Sequence, residues 1–143
     1  MPTKTAEAVW NGTLTEGKGH LKTQSGKLDT DYGWKSRSED GQPGTNPEEL
    51  IAAAHAGCFS MAFSHILAGA GFTAKTINTK AEVKFDKVGD GFAITGIKLI
   101  TNAEIPGIND ADFKANAEKA KAGCPVSKAL ANVPITLEAT LKK

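Results

Sequence analysis

The chain has two cysteines, Cys58 and Cys124, and a single arginine, Arg37; its other 16 basic residues are all lysine. With Glu48 and His55, these are the side chains whose types and spacing could do chemistry. A thiol is a nucleophile only as its thiolate, so a reactive cysteine needs something near it that favours negative charge. Cys58 lies in "NPEELIAAAHAGCFSMAFSHILAGAG", residues 46–71, which reads as a helix opening at Asn46. That places it about three turns inside, beyond the reach of the helix-end charge, and burial alone would raise its pKa and make it inert. If Cys58 reacts, it needs a cation. A lone arginine in a lysine-rich chain points to a position requiring a planar, always-charged fork, for example one that pairs with a carboxylate and a second anion. Glu48 is a candidate for that carboxylate. Asn46 suits the N-cap, Pro47 the first helical position, and Glu49 completes a capping box, so Glu48 is not needed there. The plain alternatives stay open: Arg37 as a surface residue, Glu48 as an acid favoured at the positive helix end, and both cysteines as inert core.

Cys124 has a different setting. In "KAGCPVSKAL" it follows a helix ended by Gly123 and precedes Pro125, which can start the next helix. An N-capping cysteine there would have its pKa lowered by free N–H groups, so on local physics Cys124 is the more acidic thiol. His55 is three before Cys58 and shares its helix face. It reads as a core histidine with a satisfied hydrogen bond, as a general base for Cys58, or as a zinc ligand with the two cysteines, although the three have no recognised zinc spacing.

The elements that must position these groups follow from periodicity. "TAEAVWNGTL" and "GHLKTQS" flank the turn "TEGKG" as a hairpin, and "DYGWKSRS" reads as a short strand. After the long helix, "KTINTKAEVKFDKV" and "FAITGIKLITNAEI" alternate as two long antiparallel strands across "GDG". "NDADFKANAEKAKAGC" is an amphipathic helix and "PVSKALAN" a short second one. "ITLEATLK" puts Ile135, Leu137, Ala139 and Leu141 on one face and closes the sheet. The expectation is an α+β fold in one domain, residues 1–143, with a mostly antiparallel sheet around a long central apolar helix. A helix apolar on all sides must be covered on all sides, and one sheet with one further helix cover only part of it. A dimer in which two such helices pack together solves this.

Composition narrows the function classes. A formal net charge of +1 and no basic run interleaved with aromatics exclude a nucleic-acid footprint. The start "MPTKTAEAVWNG" lacks a signal-peptide pattern, and two cysteines are too few for a disulfide scaffold, so the expected setting is the reducing cytoplasm. The apolar stretch 50–71 approaches membrane length, but His55, Ser60, Ser64 and His65 interrupt it, and it is expected to be buried in protein rather than lipid.

"GTNPEELIAAAHAGCFSMAFS" together with "KAKAGCPVSKAL" resembles the OsmC/Ohr family, specifically its osmotically inducible OsmC branch, and the resemblance runs over nearly the whole chain. It implies an intertwined homodimer with two sites at its interface. It also implies thiol-dependent reduction of organic hydroperoxides with no metal or flavin, reset by an external dithiol. Carried over residue by residue, Cys58 resembles the peroxidatic cysteine, Cys124 the resolving one, and Glu48 the carboxylate orienting the site arginine. Arg37 fits the OsmC branch, where that arginine shortly precedes the central helix. The Ohr branch has it nearer the N-terminus, and residues 1–30 contain no arginine. The competing class is a non-enzymatic stress protein that holds an apolar ligand in the dimer pocket.

Overall fold

A computed structural model describes all residues 1–143. Contacts divide the chain into two compact units, residues 1–50 and residues 51–143. The N-terminal unit is built on an antiparallel sheet of β1 (Ala6–Asn11), β2 (Lys18–Thr23) and β3 (Asp29–Tyr32), in the order β1-β2-β3. The hairpin expected from sequence is β1–β2, with Trp10 opposite Gly19. Gly19 has to be glycine: a Cβ there would come within 2.4 Å of the Tyr32 ring and 2.7 Å of the Trp10 ring.

Residues 34–38 differ from expectation. The short strand read over "DYGWKSRS" is β3 only to Tyr32, and Trp34–Ser38 form a one-turn helix, α1. The cause is a local capping interaction. The Ser36 hydroxyl accepts from the Gly33 N–H at 3.0 Å and donates to the Thr45 carbonyl at 2.7 Å. A serine three residues into a turn competes with strand pairing in this way. The loop returning to Thr45 passes through Gly44 at φ +100, where a side chain would be strained and its Cβ would crowd the Asp31 carbonyl at 3.2 Å.

Helix α2 (Pro47–Gly69) begins in the first unit and continues through the second. The C-terminal unit's sheet contains β4 (Thr76–Val88), β5 (Gly91–Glu104) and β6 (Ile135–Leu141). β4 and β5 form the expected antiparallel pair, with a register shift at Lys84/Phe85. β6 lies parallel to β5, with Ile97 opposite Ile135 and Ala103 opposite Leu141, so this sheet is mixed. Parallel neighbours require a long crossover, supplied here by α3 (Asp110–Gly123) and α4 (Pro125–Ala129). Asn109 caps α3 by accepting from the Asp112 N–H at 2.8 Å.

The unit's core joins Phe59, Phe63 and Leu67 of α2 to Leu99 and Ala103 of β5 and to Phe113, Ala117 and Ala120 of α3. The three phenyl rings form a chain, with centroids 5.7 Å apart from Phe59 to Phe63 and 5.8 Å from Phe63 to Phe113. On α2 the buried positions step by four, His55, Phe59, Phe63 and Leu67, and each is fully buried. Ala53, Ala54, Gly57, Met61 and Ala68 are exposed. The helix is long and apolar enough to cross a membrane by length and composition, and only 22% of its most apolar window is buried within the chain.

Candidate functional site

Within residues 1–50, one side chain holds the start of α2 against the end of α1. Asn46 Oδ1 accepts from the Glu49 N–H at 2.8 Å, as its N-cap assignment predicts, and its Nδ2 donates to the Ser36 carbonyl at 2.8 Å. Glu49 also accepts from the Thr45 hydroxyl at 3.3 Å. Glu48 is left to face Arg37. The Arg37 Nε donates to both Glu48 oxygens at 3.0 and 3.1 Å, and Nη2 donates to Oε1 at 2.7 Å. Arginine's planar fork makes this two-armed pairing, which an ammonium cannot reproduce. The glutamate side chain is 7% exposed and the arginine side chain 35%. A buried carboxylate stripped of this partner would keep its desolvation cost uncompensated. The sequence-level pairing of Arg37 with Glu48 is therefore present, although on a helix rather than a strand.

Within residues 51–143 both cysteines are free thiols, Cys58 half-buried and Cys124 fully buried. The two thiols are neighbours, each shifting the other's ionisation. Burial pushes the Cys58 thiol up and the contact with Cys124 adds to the rise, against a smaller lowering from the Val126 backbone. Burial opposes ionisation of Cys124 too. There the Cys58 thiol, the Ser127 backbone and hydroxyl and the Val126 backbone outweigh it, and the Cys124 thiol is lowered. Cys124 occupies the N-cap of α4 with Pro125 after it, as expected, but no side-chain cap hydrogen bond closes there. The backbone N–H groups of Val126 and Ser127 at the start of α4 interact with its sulfur and help to lower its pKa. The Cys58 contact is thus the first cause lowering the Cys124 thiol, and the helix-start donors that the local sequence argument invoked act beside it.

His55 is fully buried and bonds to the Ser127 hydroxyl through Nε2 at 2.7 Å, while Nδ1 has no partner. Burial lowers its pKa and keeps the ring neutral near pH 7. Of the readings open at the sequence level, the structure supports the core histidine with one satisfied nitrogen. No group of three or more His, Cys, Asp or Glu side chains is arranged to hold a metal ion. Ser127 is the residue sequence reasoning did not single out. Its signal was its place three after Cys124, where the first turn of a helix brings a side chain back towards the cap.

The chain matches the model of the family described as OsmC-like protein over residues 38–138. That span includes Glu48, Cys58 and Cys124 and stops one residue short of Arg37. It is 51% identical over 140 residues to peroxiredoxin OsmC of Escherichia coli strain K12, covering 97% of this chain and 96% of that protein. It is 34% identical over 122 residues to organic hydroperoxide resistance protein OhrB of Bacillus subtilis, covering 84% and 88%. Among solved structures, that of OhrB from Bacillus subtilis superposes with a TM-score of 0.73 at 29% identity, covering 96% of this chain and 98% of that one.

Proposed function

The chain belongs to the OsmC-like protein family, and from that premise we propose that it is a thiol-dependent peroxidase reducing organic hydroperoxides to alcohols in oxidative and osmotic stress defence. The observation that carries the reading is the pair of neighbouring cysteines, one half-buried and one fully buried. A peroxidatic cysteine must meet its substrate, whereas a resolving cysteine need only meet the first sulfur. The half-exposed Cys58 suits the first task and the buried Cys124 the second.

The Cys58 thiolate attacks the terminal peroxide oxygen. The O–O bond breaks, and the departing alkoxide takes a proton to become the alcohol. Cys58 is left as sulfenic acid. The Cys124 sulfur then attacks the Cys58 sulfur, water leaves and a disulfide forms. An external dithiol returns two electrons by thiol–disulfide exchange and is itself oxidised. Because its own unit raises the Cys58 pKa, the reading assigns to Arg37, oriented by Glu48, the cation that stabilises the Cys58 thiolate and the developing negative charge. It involves no metal or flavin.

The exposed apolar and small residues of α2 support a homodimer in which these helices cover one another in the cytoplasm as one 1–143 domain per protomer, with the greasy helix admitting alkyl or aryl hydroperoxides. The test is turnover of cumene hydroperoxide by purified protein with dithiothreitol. Consumption well above the free-thiol rate is expected. Consumption at that background rate, in protein that still binds apolar ligands, would leave the non-enzymatic binding protein as the better account.

A further inference from the structure

The proposed cycle uses both thiols and leaves unexplained a buried histidine that reaches the second of them through one hydroxyl. His55 on α2 and Ser127 on α4 are 72 residues apart in sequence, and 0% and 5% exposed, yet their polar atoms lie 2.7 Å apart. Ser127 sits at the third position of α4, whose first turn closes with the Lys128 N–H donating to the Cys124 carbonyl at 3.1 Å. Placed three residues after Cys124 in that turn, Ser127 acts on the Cys124 thiol through both its hydroxyl and its backbone N–H, each lowering the thiol's pKa.

The direction of these bonds follows from the atom left over. A neutral imidazole carries one N–H. If it stood on Nδ1, a buried donor would have no acceptor; on Nε2, only a lone pair is unused, which is the less costly vacancy. The network therefore runs one way. His55 Nε2–H donates to Ser127 Oγ, which leaves the Ser127 O–H free to turn towards the Cys124 sulfur when negative charge develops there.

Access then decides which step this arrangement serves. With Cys58 half-buried and Cys124 fully buried, an external thiolate attacking a Cys58–Cys124 disulfide is directed to the Cys58 sulfur. Attack forms a bond to the Cys58 sulfur, the S–S bond breaks, and the electron pair leaves on Cys124 as a thiolate. The second thiol of the reductant next displaces the first from Cys58, and the oxidised dithiol departs. Exchange is faster the better the leaving thiolate is stabilised. We propose that His55 and Ser127 are positioning residues for the reductive half of the cycle, holding a hydroxyl on the Cys124 sulfur so that it departs as a stabilised thiolate. This inference rests on the peroxidase reading for its place in a cycle. It extends it by giving the regeneration step residues of its own.

The experiment starts from disulfide made with diamide, so that it does not depend on peroxide chemistry, and follows its reduction by dithiothreitol. Ser127→Ala and His55→Phe should slow reduction about tenfold, the scale of a hydrogen bond to a charged atom. Ser127→Thr and His55→Gln, which keep the O–H and an N–H donor, should retain most of the rate. In a Cys58→Ser background, the thiolate absorbance near 240 nm should show the Cys124 pKa rising on Ser127→Ala, a change that a packing role would not produce. Should His55→Phe fail to fold, the Ser127 pair and the thiolate titration decide the matter. Reduction of Ser127→Ala at the wild-type rate, or an unmoved Cys124 titration, overturns the proposal. Wild-type dithiol that cumene hydroperoxide does not oxidise counts against the peroxidase reading instead, and leaves the diamide result to be read separately.

Discussion

The unit of residues 1–50 holds its functional groups by charge, and the unit of residues 51–143 holds its own by burial. Two histidines make the contrast. His20, on β2, lies between two carboxylates, with Nδ1 2.7 Å from Asp31 and Nε2 2.5 Å from Asp29, and its side chain is 47% exposed. Hydrogen bonds to Asp31 first and Asp29 second raise its pKa. His55 has no charged partner, is fully buried, and is lowered by burial. One ring thus tends towards imidazolium and the other towards neutral imidazole. The same division separates the arginine–glutamate pair from the two thiols. The first unit sets a part-exposed arginine on a buried glutamate, and the second covers one thiol fully and the other in part.

The largest test of this division is Cys58→Ser. It should abolish turnover with organic hydroperoxide and dithiol while preserving the fold, measured by peroxide consumption. If Cys124 alone then takes up oxygen from stoichiometric peroxide, the roles of the two thiols are reversed, and the lower pKa of Cys124 was the better guide.

Arg37→Lys asks whether the charge of the first unit serves the sulfur of the second. It retains a cation but loses the two-armed pairing with Glu48, and kcat/KM should fall about a hundredfold, the scale of losing one preorganised donor. Wild-type rates at equal thermal stability would remove Arg37 from the mechanism.

Cys124→Ser should leave the first attack intact. One equivalent of hydroperoxide should give wild type a disulfide, and excess should add one, two or three oxygens to Cys58 in the variant, read by intact mass.

The two histidines predict the smallest effects, of opposite sign. Unfolded chain protonates His55 near pH 6.5, whereas the folded chain resists, so stability should fall as pH drops below about 6.5. His20 contributes stability that is full below about pH 6.5 and is lost as pH rises through its raised value. Urea melts across pH 5 to 8.5 should show the acid limb flattened by His55→Gln and the alkaline limb flattened by His20→Gln. Matching limbs in both variants would break the contrast.

The periodic elements were legible because a repeat of two or of about four leaves a mark in sequence that burial then obeys. β4, β5, α3 and β6 fall where alternation or amphipathicity put them. Alternation identifies the face of a strand but not its neighbour, which is why β6 was readable as a strand and its parallel pairing was not. Residues 34–38 carry no period, and a single serine hydroxyl decides their conformation. At the site, the unusual residue types stood out: a lone arginine, two cysteines and a glutamate freed from capping. Ser127 is an ordinary serine in sequence. Only the contact of α2 with α4 across most of the unit gives it a partner.

The parallel pairing of β6 with β5 also fixes an order of events during synthesis. β4 and β5 are consecutive and can pair as soon as both have left the ribosome. β5 cannot gain its second neighbour until residue 135 and beyond have been made, after the whole of α3 and α4. Until then Leu99 and Ala103 have no strand beside them on that edge, and α2 has been waiting since residue 69 with apolar surface showing. The nascent chain therefore carries a hydrophobic helix through about half of its synthesis, joined after β5 is made by an open sheet edge, the two features that invite aggregation and recruit chaperones. For this fold, the last strand to be made is the one that closes that edge of β5.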